Sequence, residues 1–115
     1  MPGKQIFAPH IEKINPIDCC AYSNVVIMCG INDVRAVHVK CQSDVRALYF
    51  DLKQKIKQIQ CINKRANIFI CPILPTNLYD LNRRAVYFNG LINNDLLPSN
   101  LGVTYVNGFS GLLDQ

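Results

Sequence analysis

The chain has 115 residues, half of them hydrophobic and 17% charged, which fits one modest globular domain and excludes a disordered chain. Its net charge of +4 is mildly basic, but the cations are dispersed and no zinc-finger, RRM or helix-turn-helix signature accompanies them. No apolar run approaches the roughly 20 residues of a membrane span, and the opening MPGKQIFAPH lacks the apolar core of a secretory signal.

A cytoplasmic or other reducing compartment is therefore expected, and the six cysteines point the same way. Cys29 and Cys71 end apolar runs, Cys61 falls in a helical pattern, and Cys19 and Cys20 are adjacent, which is awkward for two bridges within one domain. Free cysteine packs as a small hydrophobe. There is no CxxC, and the ligand-like pair His38 and Cys41 has no second pair to complete a tetrahedral site, so neither a metal nor another cofactor is expected.

Taken in chain order, residues 1 to 23 are mixed. Ile6, Phe7, Ile11 and Ile14 predict one face of a short helix that breaks before Pro16. Asn24 to Cys29 is a β-branched run without alternation, as in a parallel strand covered on both faces. Ser43 is placed to cap a helix. Val45, Leu48, Leu52, Ile56, Ile59 and Ile62 then recur at three- and four-residue steps and define one apolar stripe. Asn67 to Cys71 predicts a second strand, stopped by Pro72 and Pro75. A helix over Asp80 to Leu97 follows, with Leu81, Ala85, Phe88, Ile92 and Leu96 on one face and Pro98 at its end. Gly102 to Asn107 predicts a third strand. Strand, helix, strand, helix, strand is the order of an α/β fold with parallel strands and right-handed crossovers.

In an open parallel sheet, ligands bind beyond the carboxyl ends of the strands. Here those ends are Gly30-Ile31-Asn32-Asp33, Pro72-Ile73-Leu74-Pro75-Thr76 and Asn107-Gly108-Phe109-Ser110. Gly30 lets the backbone turn sharply or approach a ligand. Asn32 offers an uncharged N–H donor suited to a developing oxyanion. An ordinary turn explains the same residues, because Asn and Asp often hydrogen-bond their own backbone. Asp33 equally suits the cap of a following helical turn.

Gly30-Ile31-Asn32-Asp33 after an apolar strand resembles the Gly-x-Asn-Asp block of the SGNH, or GDSL-like, hydrolases. CPILPTNLYDLNRRAVYFNGLIN, from Cys71 to Asn93, is similar to that family's next strand, proline-rich loop and helix, in the form seen in esterase-like domains of invertebrate and retroelement-encoded proteins. VTYVNGF, from Val103 to Phe109, matches the strand after it. The resemblance covers residues 20 to 115. It implies a flavodoxin-like three-layer α/β/α sandwich with a parallel sheet, and hydrolysis of a small ester substrate through a serine nucleophile. Carried onto this chain, it makes Asn32 the oxyanion-hole donor, with Gly30 in the same loop.

The family's Gly-Asp-Ser nucleophile and Asp-x-x-His motifs have no match here. Ser110 lies in the wrong glycine spacing for a nucleophile elbow. His10 and His38 are the chain's two imidazoles, and neither occupies the family position of the base. Cys29 has nothing nearby in sequence to lower its pKa. The expectation is a partial domain over residues 1 to 115, without turnover as an isolated chain. Lacking the nucleophile strand, Asn24 to Cys29 is expected to be an exposed edge that invites a homodimer or a partner segment. The alternative reading is a non-catalytic interaction module that uses this edge and its basic helix faces for protein or nucleic-acid contacts.

Overall fold

The computed structural model describes residues 3–8 and 10–106 and holds four parallel strands. They are β1 (Gly3–Phe7), β2 (Asn24–Met28), β3 (Asn67–Ile70) and β4 (Val103–Tyr105), and they lie side by side in sequence order. The α/β class and parallel sheet are as the sequence predicts, with one more strand. The stretch containing Ile6 and Phe7 is not helical: it extends and pairs with β2 along its whole length, Gly3 opposite Asn24 and Phe7 opposite Met28. A 3-10 turn at Ile11–Lys13 follows, and its Ile11 is fully buried, as is nearly all of Ile14.

This strand overturns the expectation that the Asn24–Cys29 segment is an exposed edge. β2 lies inside the sheet with a partner on each side, so its N–H and C=O groups are used by β1 and β3, and among the described strands the outermost are β1 and β4.

Four α-helices fill the crossovers: α1 (Pro16–Cys19), α2 (Ile31–Arg35), α3 (Gln42–Ile62) and α4 (Tyr79–Leu91). The stripe predicted for α3 is the core: Val45, Leu52, Ile56 and Ile59 are buried, together with Tyr49, whereas Ile62 at the last turn is exposed. Ser43 is not the cap. The Asp44 carboxylate accepts from the Lys40 and Cys41 backbone N–H groups at 2.9 and 3.2 Å, satisfying donors that the first turn leaves open. Leu81, Ala85, Phe88, Ile92 and Leu96 are all buried, on α4 and its continuation through a π turn at Ile92–Leu96. A 3-10 turn at Leu97–Ser99 takes in Pro98, and Asn100 in the left-handed region reverses the chain.

Register fixes the core face of the sheet. Val25 stands opposite Ile68 and Ile27 opposite Ile70, and all four are buried. α3 contacts α1, α2 and α4, so the described helices gather in one layer over this face. The alternate residues Val26, Met28 and Phe69 point to the other side and are only half-buried, and Thr104 is exposed. The predicted third strand is shorter than expected, with Val106 past its end and Asn107 outside the described residues.

Candidate functional site

β2 runs into Gly30, whose φ of 108° is a conformation that L side chains avoid. A Cβ there would also meet Ile73 Cδ1 at 3.1 Å and Phe88 Cε1 at 3.2 Å. Glycine is thus required twice, for the turn and for the close approach of Ile73, in the loop after β3, and Phe88 on α4. The Gly30 carbonyl accepts from Val34 N–H at 2.9 Å and opens α2. The predicted Gly-Ile-Asn-Asp turn is therefore the start of a helix, with Asn32 and Asp33 inside it.

That turn places Asn32 on the wall of an apolar cleft of about 560 Å3 at the carboxyl ends of the strands. Ala8 follows β1, Met28 and Cys29 end β2, and the Cys71–Thr76 loop follows β3. The loop is held from behind by Asn89, which accepts from Ile73 N–H and donates to Ile73 C=O, both at 3.0 Å. Asn32 Oδ1 accepts from Arg35 Nη2 at 2.7 Å. This bond fixes the amide by its carbonyl end and leaves both Nδ2 protons without a partner among the described residues.

No protein-family model, curated protein or solved structure matches this chain. Its chemistry is therefore read from the cleft itself.

Cys29 borders the cleft, but burial, with the nearby Asp33 and Cys71, pushes its thiol up to about 12. A thiol so poised is a packing group, not a nucleophile. Thr76 Oγ1 is used locally, accepting from Leu78 N–H at 3.1 Å and donating to Leu78 C=O at 3.3 Å. All six cysteines are free thiols. Among the described residues no group of His, Cys, Asp or Glu is arranged to hold a metal, and no helix is long and apolar enough to cross a membrane.

Asp33 does not cap its own turn. Its buried carboxylate accepts from Ile11 N–H at 3.1 and 3.3 Å, and His10 Nδ1 lies 3.5 Å from it. It ties the start of the first crossover's 3-10 turn to α2. Burial pushes its carboxyl above the ordinary range, against the opposing pull of the Ile11 N–H and His10. This tie had no signal in the sequence, because it depends on β1 bringing His10 and Ile11 beside α2. His38 is exposed on the α2–α3 connection, and Cys41 Sγ is engaged with Ser43 and Asp44. Ser110 lies outside the described residues.

Proposed function

We propose that this chain is an SGNH-hydrolase-like α/β domain that supplies the oxyanion-hole amide of an ester-hydrolysing site, with Asn32 as donor and Gly30 setting its turn. In that reading the apolar cleft takes the acyl part of a small ester substrate. The observation that carries it is the Asn32 amide on the cleft wall, pinned through Oδ1 and open through Nδ2. A fixed neutral donor about 3 Å from an oxyanion stabilises it without reorganising during the reaction. The three-layer sandwich of the resembling family would add helices over the Val26 and Phe69 face of the sheet.

An oxyanion donor accelerates nothing without a nucleophile and base. The cleft wall offers a suppressed thiol at Cys29 and a hydroxyl at Thr76 already used in its turn. The purified chain is therefore expected to hydrolyse short p-nitrophenyl esters no faster than buffer. Butyrate, whose carboxylate mimics the oxyanion, is expected to shift the Asn32 side-chain amide resonances in a nitrogen-15 spectrum. Turnover that Asn32→Ala abolishes would overturn the inert reading, and unmoved Asn32 resonances would overturn the donor role.

A further inference from the structure

On its other side α2 borders a second cleft, of about 550 Å3, walled by the α2–α3 connection, the start of α3 and the outer side of α4. Its lining is electrostatically lopsided. Arg35, Lys40, Arg83 and Arg84 face a single carboxylate, Asp80. Both ion pairs of the described residues lie elsewhere, at His10–Asp33 and Lys53–Asp95, so among the described residues none of these four cations is paired with a carboxylate. Like charges left together and unpaired repel one another, and an anion entering the cleft relieves that repulsion.

Two of the guanidinium groups are held in place by neutral acceptors. Arg84 Nε donates to Val34 C=O at 2.8 Å, and Arg35 Nη2 donates to Asn32 Oδ1 at 2.7 Å. Each keeps further N–H donors in a planar fork that matches two oxygens of one phosphate. Arg46 Nη2 donates to Tyr87 Oη at 2.9 Å and adds a fifth cation behind the Tyr87 wall.

Aromatic rings accompany the cations. Tyr79, Arg83 and Tyr87 recur at four-residue steps along one side of α4. The Arg83 guanidinium lies 5.9 Å from the centre of the Tyr79 ring, and that ring is 77% exposed. An exposed ring beside a row of unpaired cations is what a flexible strand with unstacked bases uses: phosphates track the charge and a base stacks on the ring. A duplex has no free base face to offer Tyr79, and a lone phosphate makes no use of it.

We infer that this cleft binds single-stranded nucleic acid, with Arg35, Lys40, Arg83 and Arg84 on the phosphates and Tyr79 stacking a base. The site shares Arg35 with the ester-hydrolysis reading, where that residue holds Asn32, whereas Lys40, Arg83, Arg84 and Tyr79 have no part there, so their variants test the strand site separately. Fluorescence anisotropy of a labelled twelve-residue oligothymidylate, titrated with the full chain at 50 and 200 mM salt, tests it. Saturable binding at low salt is expected, weakening about tenfold or more at the higher salt. Arg83→Glu and Lys40→Glu should each weaken binding at least about tenfold, and Tyr79→Ala about five- to tenfold. Lys64→Glu, in the turn just beyond the far end of α3, should change it less than about twofold, with circular dichroism melts confirming that each variant folds. Absence of binding at 50 mM salt overturns the inference. So does an equal loss in Lys64→Glu, or equal affinity for a duplex of the same length or for inorganic phosphate.

Discussion

The two clefts share one short helix and differ in almost everything else. On one side of α2, Asn32 looks into a pocket of apolar side chains whose walls are the ends of three strands and a clamped loop. On the other, three residues later, Arg35 looks into a groove of unpaired cations whose walls are helices. The first is built from strand ends, a constrained glycine turn and a clamped loop, so its shape is tied to the stability of the fold. The second is built from solvated side chains, so its charge can change while the fold stays as it is.

The largest expected effect tests the first half of that contrast. Gly30→Ala forces a Cβ into a strained φ and against Ile73 and Phe88, and should cost about 2–4 kcal/mol in urea unfolding. A loss below about 1 kcal/mol would mean that the turn has a relaxed alternative. Next comes Asp33. Asp33→Ala leaves the buried Ile11 N–H without its acceptor and should cost about 1–3 kcal/mol. Asp33→Asn keeps an acceptor and removes the buried charge, so it should cost less at pH 7. The pH dependence separates them further. Because the folded state raises this carboxyl above its ordinary value, the folded protein holds the proton longer as pH rises, and stability falls through the window just above the ordinary aspartate value of 3.8. Asp33→Asn should flatten that part of the pH profile, and an unchanged slope would contradict the assigned burial.

Smaller effects are expected from the cationic side. Arg83→Ala should move stability by no more than about 0.5 kcal/mol, since its removal empties no core position. A larger loss would make the second cleft structural after all. Alkylation gives the finest test. At pH 8 iodoacetamide should label the exposed Cys41 and Cys61 first, followed by mass spectrometry of the peptides. Cys29, with a thiol near 12, holds only about one part in ten thousand as thiolate and should lag far behind. Early labelling of Cys29 would show that the apolar cleft opens.

The sequence made the helical core legible because both long helices repeat apolar residues at helical steps over many turns, and Val45 to Ile59 and Leu81 to Leu96 are buried accordingly. The strands β2 and β3 were legible from their apolar runs. β1 was not. GKQIF has two polar residues after a glycine and no alternation, and the spacing of Ile6, Phe7, Ile11 and Ile14 imitates a helical face. What holds it extended is a partner strand about 20 residues later. The position of Asn32 at a strand's carboxyl end could be read in advance, but its fixed orientation depends on Arg35, and the Ile11–Asp33 tie on β1. The cationic cleft was least legible: Lys40 and Arg83 are dispersed in sequence and meet through the packing of α3 on α4.

The strand order has a kinetic consequence. Among the described residues each later strand pairs with the one that precedes it in the chain, and none is inserted between two earlier ones. Such a sheet can grow by accretion, every new β-strand and its helix docking on an edge already in place. That avoids the late, long-range strand insertion that slows folding in sheets of scrambled order. During synthesis the waiting edge is always the newest strand, so the template for each addition is the segment that has just left the ribosome.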